Sequence, residues 1–353
     1  RVMRNSGQVR LGDGLLGRVI DGLGQPLDGR PLPELPDQMT LFGRPLNPME
    51  RGPINSILDV GVKAINSVLT VGRGQRIGLV AGSGVGKSVL LGMLTRFTKA
   101  DIVVIGLIGE RGREVQAFIS ESLGDEGLAK SVVIAAPANV SPVLRLKATH
   151  MTHVVAEYFR DKGLNVLMLC DSLTRVAHAQ REIGLAIGEP PTAKGYPPSV
   201  FALLPNLIER GGVGRHGHGS ITSIYTVLAE GDDASDPIVD IARASLDGQV
   251  MLSRTLADQA HYPAIDLNGS ISRVMQTIVD SESMRQANRF RRLWSVYQQN
   301  ADLVQVGAYE AGTNPELDEA IRLREQMVMF LRQDMHISED YDVSLGNLKQ
   351  LMS

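Results

Sequence analysis

The order of apolar and polar residues divides the chain into three regions. Between Gln75 and about Asp266, short apolar runs alternate with stretches in which apolar residues recur every three or four positions. The first pattern is typical of buried strands and the second of amphipathic helices. This alternation predicts an α/β fold, a mainly parallel sheet flanked by helices. The strand candidates are RIGLV, DIVVIGLI, SVVIAA, NVLMLCD, SITSIYTVLAEGD and QVMLSR.

The flanking regions have other patterns. Residues 1–75 are dense in glycine and proline, which predicts lead-in strands and loops. After Ser272 almost the whole sequence has helical periodicity, which predicts a C-terminal α-helical domain. We therefore expect a lead-in at residues 1–75, an α/β domain at 76–275 and a helical domain at 276–353.

Composition narrows the class of protein. A net charge of -3 over 353 residues offers no electrostatic support for binding nucleic acid. The only cysteine, Cys170, excludes an intramolecular disulfide and a cysteine-rich metal site, which favours a reducing cytoplasm. Apolar runs such as IVVIGLI are far shorter than the roughly 20 residues that span a bilayer, so we expect at most peripheral membrane contact.

The stretch AGSGVGKS follows a predicted strand and precedes a predicted helix, which is the context of a phosphate-binding loop. Glycines let consecutive backbone N–H groups face phosphate oxygens, and the helix N-terminus adds positive potential. Ala81 replaces the first glycine of the usual pattern, which is acceptable if it keeps a negative φ. A structural glycine turn with a chance Gly-Lys-Ser is the alternative. The predicted nucleotide contacts are Gly82, Ser83, Gly84, Val85, Gly86, Lys87, Ser88 and Val89.

Two carboxylates follow predicted strands and should meet the loop at the same sheet edge. Asp171 ends NVLMLCD, the position of a magnesium-associated Walker-B carboxylate, although it could simply cap the next helix. Glu110 follows IVVIGLIG, where a glutamate can orient the water that attacks a γ-phosphate. The alternative for Glu110 is a solvated charged turn.

Several long motifs then make a resemblance specific. In order they are GERGRE, DSLTRVAHAQREIGLAIGEPPTAKGYPPSVFALLPNLIERGG, EGDDASDPIVDIARASLDG and HYPAIDLNGSISRVM. Together they resemble the ATPase of the bacterial type III export apparatus, a family of flagellar and injectisome proteins related to the catalytic subunit of rotary ATP synthases. The resemblance covers nearly the entire chain and implies a RecA-like P-loop NTPase core.

The resemblance also implies roles for individual residues. Glu110 matches the catalytic glutamate, with Lys87 and Arg111 beside the phosphates. Asp171 matches the Walker-B aspartate, which acts on Mg²⁺ through a water molecule while the Ser88 hydroxyl ligates the ion. Arg273, in SISR, matches an arginine that acts in trans on the neighbouring subunit's nucleotide.

The function implied is Mg²⁺-dependent ATP hydrolysis by a homo-hexamer that primes or drives protein export. The family's partners are stator and stalk proteins, chaperone–substrate complexes and a membrane export gate, and its location is the cytoplasm at the inner face of the membrane. The lead-in resembles the segment after an N-terminal β-barrel domain, which we expect to be missing here. VGAYEAGTNPELDEAI favours a flagellar member over an injectisome member.

The sequence leaves open the roles of two residues and offers two alternative functions. Tyr309 is the candidate for stacking on adenine, with core packing as the alternative. Arg175 could support the site or lie on a helix surface. A ring translocase related to RecA and the transcription terminator shares the core, but the acidic net charge and the absence of an oligonucleotide-binding barrel argue against it. A non-hydrolysing structural subunit is disfavoured by Glu110.

Overall fold

The computed structural model describes residues 7–43, 46–228 and 236–353. The last residues of the predicted strand SITSIYTVLAEGD lie outside these ranges. The strands are β1 (Gln8–Leu11), β2 (Arg18–Ile20), β3 (Asp37–Thr40), β4 (Arg76–Ala81), β5 (Ile102–Ile108), β6 (Ser131–Ala136), β7 (Asn165–Asp171), β8 (Gly212–Val213), β9 (Ser220–Leu228), β10 (Gly248–Leu252) and β11 (Ile265–Ser272).

The helices lie between these strands and after the last of them. They are α1 (Lys63–Val68), α2 (Lys87–Phe97), α3 (Gly112–Ala117), α4 (Gly124–Ala129), α5 (Pro142–Asp161), α6 (Leu173–Ala186), α7 (Pro198–Ile208), α8 (Pro237–Ser245), α9 (Arg254–Asp258), α10 (Met275–Ile278), α11 (Ser281–Gln305), α12 (Pro315–Leu331) and α13 (Tyr341–Met352). A π-helical segment, Phe118–Leu123, joins α3 to α4. Within the described ranges, no helix is long and apolar enough to span a membrane.

A nine-stranded sheet forms the centre of the molecule, in the order β11-β10-β4-β9-β7-β5-β6-β2 with β8 paired to β9. Neighbouring strands are parallel, except that β11 is antiparallel to β10 and β8 to β9. The predicted mainly parallel sheet is confirmed. The lead-in contributes β2, which extends the sheet beside β6, while β1 and β3 form a separate antiparallel pair.

Helices cover both faces of the sheet, so its central strands are buried throughout. In β5, Val103 and Ile105 face the side that holds α1, α2 and the C-terminal helices, whereas Val104 and Ile108 face α5 to α8. Trp294 on α11 is part of the first of these cores. The predicted C-terminal helices therefore pack on the α2 side of the sheet.

The helix boundaries follow local capping. The helical pattern after Ser272 is interrupted, because Asp280 accepts hydrogen bonds from the backbone of Glu282 and Ser283 and starts α11 anew. The predicted strand QVMLSR is shorter than expected, since Ser253 caps α9 and ends it at Leu252. Strand β11 was not predicted.

Candidate functional site

The loop between β4 and α2 has the backbone geometry that its glycines allow. Gly84 has a φ of 76° and Gly86 a φ of 89°, in the left-handed region that favours glycine. Gly86 is also the N-cap of α2, so the first N–H groups of the helix are directed at the loop. Ala81 ends β4 and keeps a negative φ, which explains why alanine is accepted there.

The sheet brings both predicted carboxylates to this loop. Asp171 and Leu107 are paired residues of β7 and β5, and Glu110 lies two residues after the end of β5. Asp171 Oδ1 accepts hydrogen bonds from Lys87 Nζ at 2.5 Å and Thr226 Oγ1 at 2.6 Å. Lys87 Nζ also lies 3.8 Å from Glu110 Oε1. One ammonium group therefore lies between two largely buried carboxylates.

Glu110 has the electrostatics of a base. Its Oε1 atom is buried without a hydrogen-bond partner. Burial, and then the charge of Asp171, raise the pKa of Glu110 to about 7, against the lowering effect of Lys87. A carboxylate whose pKa lies near the working pH suits proton transfer from water.

This raised pKa predicts a stability change that can be measured without nucleotide. Because the folded-state pKa of Glu110 exceeds its ordinary value of 4.5, the carboxyl stabilises the fold most below that value, and this contribution is lost as the pH rises through about 7. We expect Glu110→Gln to raise the free energy of unfolding at pH 8 by about 1–3 kcal/mol, and to change it little at pH 4.5.

Urea unfolding of both proteins at the two pH values measures this difference. Glu121→Gln, at an exposed carboxylate of the adjoining π-helical segment, is the matched control and should not gain stability at pH 8. A Glu110→Gln protein no more stable than the parent at pH 8 would contradict the assigned burial.

A cavity of about 890 Å³ opens in front of these groups, within the range of about 300–1,000 Å³ typical of ligand sites. The residues around the cavity are suited to binding a nucleoside triphosphate and a divalent cation. The N–H groups of the loop can hold phosphate, and Glu110 lines the same space. Its lining includes Gly82, Ser83, Gly84, Gly86, Lys87, Ser88, Val89, Glu110, Arg111, Asp171, Arg175 and Arg254.

Two arginines beside the carboxylates differ in burial. Arg111 is exposed and lies 3.6 Å from Glu114. Arg175 packs under Gly109, where an added Cβ would lie 2.8 Å from the arginine Cβ. Its Nε is buried without a partner, so Arg175 belongs to the cavity wall and is not a helix-surface residue.

Two predicted residues lie away from this cavity. The Tyr309 hydroxyl donates to Asp318 Oδ1 at 2.9 Å, beside α12, so the structure does not bring this ring to the phosphate loop. Arg273 follows β11, where its backbone N–H donates to Asp247 O and its Nη2 to Arg243 O. Neither Tyr309 nor Arg273 lines the cavity, and neither does Val85, whose side chain is buried in the core on the α2 side of the sheet.

Two residues at the loop were not predicted. Tyr262 is 44% exposed, and its ring lies 3.4 Å from the position that a Cβ on Gly86 would take. An exposed aromatic face beside a phosphate loop is suited to stacking on a base. Arg254 Nη2 donates to the backbone oxygen of Ser83 at 3.1 Å. Tyr262 lies in HYPAID and Arg254 in QVMLSR, but nothing in either motif indicates a contact with residues over 170 positions away.

Comparison with known proteins identifies relatives over nearly the whole chain. Residues 61–272 match the nucleotide-binding domain of the ATP synthase alpha/beta family, and residues 279–350 match the T3SS EscN ATPase C-terminal domain. A flagellum-specific ATP synthase of Pseudomonas aeruginosa is 58% identical over 99% of this chain and 77% of its own length.

Solved structures of type III secretion ATPases are also similar to this chain over nearly its whole length. A prototypical ATPase from the type III secretion system of pathogenic bacteria is 44% identical, with a TM-score of 0.93 over 98% of this chain and 100% of that one. The assembled ATPase EscN in complex with its central stalk EscO, from enteropathogenic E. coli, is 43% identical, with a TM-score of 0.92 over 98% of this chain and 84% of that one.

Proposed function

The chain belongs to the ATP synthase alpha/beta family, in the branch of the flagellum-specific and type III secretion ATPases, and we propose that it hydrolyses ATP for flagellar protein export. The observation that carries this proposal is the convergence of Lys87, Glu110 and Asp171 beside the phosphate loop. The flagellar assignment is supported by relatives named flagellum-specific ATP synthase at 46–58% identity.

The loop residues bind and orient the substrate. Backbone N–H groups from Gly82 to Val89 hold the phosphate oxygens of ATP, with the N-terminus of α2 supplying positive potential. Lys87 exchanges part of its contact with Asp171 for the β- and γ-phosphates. Arg111 and Arg175 also line the cavity, and their guanidinium groups would stabilise the negative charge that increases during the reaction.

Ser88 and Asp171 are the residues that would hold Mg²⁺. The Ser88 hydroxyl would supply an oxygen ligand, and the Asp171 carboxylate would act through a water molecule. Both residues line the cavity, and oxygen ligands are those that Mg²⁺ prefers. Bound there, Mg²⁺ would neutralise the charge of the β- and γ-phosphate oxygens.

Glu110 carries the hydrolytic step. Its carboxylate orients a water molecule toward the γ-phosphorus and takes up the water proton as the new P–O bond forms. The bond from that phosphorus to the β–γ bridging oxygen breaks, which leaves ADP and inorganic phosphate. The raised pKa makes this carboxylate a stronger base than an ordinary glutamate, and at about 7 it is still low enough for the proton to be released near neutral pH.

Arg273 completes the site of a neighbouring subunit in a ring. Ser272 pairs with Gly248 near the start of β4, whereas the phosphate loop follows Ala81 at the other end of that strand. At about 3.3 Å per residue, five residues separate the two ends by roughly 16 Å. Because Arg273 lies at the wrong end for its own subunit's ATP, a head-to-tail ring is the arrangement that uses it.

The assembly we propose is a homo-hexamer in the cytoplasm, located peripherally at the inner face of the membrane. The complex of EscN with its central stalk EscO supports a stalk protein as one partner. We extend the partners to stator proteins, chaperone–substrate complexes and a membrane export gate, as in flagellar export. ATP hydrolysis would release and unfold the substrates.

Turnover measured against protein concentration tests the shared site. We expect the specific ATPase activity to rise steeply with concentration, to vanish when EDTA removes Mg²⁺, and to be unchanged by RNA or DNA. Concentration matters because each site needs Arg273 from a second copy. Full activity of a dilute monomer would exclude the shared site, and stimulation by nucleic acid would favour a translocase instead.

A further inference from the structure

Arg254 contacts the phosphate loop although it is far from the loop in the sequence. It is the first residue of α9, whose N-cap Ser253 directly follows the end of β10. Because β10 pairs in parallel with β4, the end of β10 lies beside the start of the loop. There the Arg254 guanidinium lines the cavity, and its Nη2 donates to Ser83 O at 3.1 Å.

This contact sets the direction of one peptide group. The carbonyl of Ser83 and the N–H of Gly84 belong to the same planar trans peptide, so they point in opposite directions. Gly84 has a φ of 76°, and an added Cβ there would meet nothing within 4 Å. As a glycine, residue 84 can also adopt the backbone angles that a turned peptide would require, because it has no Cβ to restrict φ. A turned peptide would present a carbonyl oxygen to the phosphates where an N–H is needed.

We propose that Arg254 is a positioning residue for ATP hydrolysis, because its hydrogen bond to the Ser83 carbonyl keeps the Gly84 N–H directed at the phosphates. The inference rests on the proposed function, since it requires a phosphate in this loop. Arg254 would thereby keep one hydrogen-bond donor of the loop oriented toward the transition state. Loss of such a donor commonly lowers reaction rates about 100-fold or more. For ground-state binding we expect a smaller effect, about 10-fold.

ATP affinity in a non-hydrolysing background tests this role. We would measure the dissociation constant of MgATP by calorimetry for Glu110→Gln alone and combined with Arg254→Met or Arg254→Lys. We expect methionine, which keeps the length but loses the donor, to weaken binding about 10-fold. Lysine retains a donor and should give an intermediate affinity. Arg285→Ala, which removes an exposed positive charge from α11, is the matched control and should bind like the parent.

Three results separate the possible failures. An Arg254→Met protein that binds MgATP as tightly as its parent overturns the inference. A defect that disappears at about 0.5 M salt also overturns it, because screening removes an exposed charge effect but not the hydrogen bond. If Glu110→Gln alone fails to bind ATP, the proposed function fails first. An unchanged thermal midpoint for Arg254→Met, expected for an exposed side chain, shows that any lost affinity is not lost folding.

Discussion

Replacing Glu110 by glutamine is expected to lower the rate of ATP hydrolysis about 1,000-fold while ATP still binds. The amide keeps the size of the side chain but cannot accept the proton of the attacking water, and general bases contribute about 10²–10⁴ in rate. The loop and Lys87 remain in place, so the dissociation constant for MgATP should change little. Phosphate release and calorimetric binding measure the two quantities.

Glu121→Gln is the control for this substitution. Glu121 lies on the π-helical segment after α3, its side chain is exposed, and it does not line the cavity. We expect it to retain most of the activity. Normal hydrolysis by Glu110→Gln would remove Glu110 from the mechanism and with it the central assignment of the site.

Replacing Arg273 by alanine is expected to reduce turnover by about 10³-fold or more, in the range measured for arginines supplied across an interface. The residue lies at the far end of β4 from its own phosphate loop, so we expect the loss to arise at a neighbour's site. ATP binding by the isolated subunit should be unchanged. Steady-state turnover at a concentration where the wild type is fully active measures the effect.

Mixing the two inactive proteins gives the sharper result. In a ring made from Glu110→Gln and Arg273→Ala subunits, some interfaces combine an intact nucleotide site with an intact Arg273. An equal mixture should recover up to about a quarter of the wild-type activity if the sites act independently. Arg285→Ala, the exposed control on α11, should be fully active by itself. An Arg273→Ala protein with the wild-type rate would exclude the arginine from the reaction.

The local sequence pattern was sufficient to predict the strands and the carboxylates at the centre of the site. Strands β4, β5 and β7 are continuous apolar runs, and their ends were predicted within a residue or two because a buried parallel strand excludes polar side chains. The rule that parallel strands end at one edge was enough to expect Glu110 and Asp171 near the loop. Their roles in hydrolysis remain predictions that the two experiments above test.

The local sequence pattern did not predict contacts between residues that are distant in the chain. The small number of aromatic residues makes Tyr309 a candidate for stacking on adenine, yet its hydroxyl donates a hydrogen bond to Asp318. Tyr262 lies beside Gly86 only because β10 pairs with β4 and carries the following segment to the loop. Strand β11 was missed because its polar residues give the alternating burial of an edge strand and not an apolar run.

The sequence by itself determined the α/β architecture, the phosphate loop, the two strand-end carboxylates and, through long motifs, the family. These depend on hydrophobic periodicity and on residues close together in the chain. Only the tertiary structure decided that Lys87 lies between Asp171 and Glu110, that Tyr262 and Arg254 reach the loop, and that Arg273 lies at the opposite end of β4. The physical reason is strand order: which side chains meet depends on which strands pair, and the pairing energy is spread over the whole sheet.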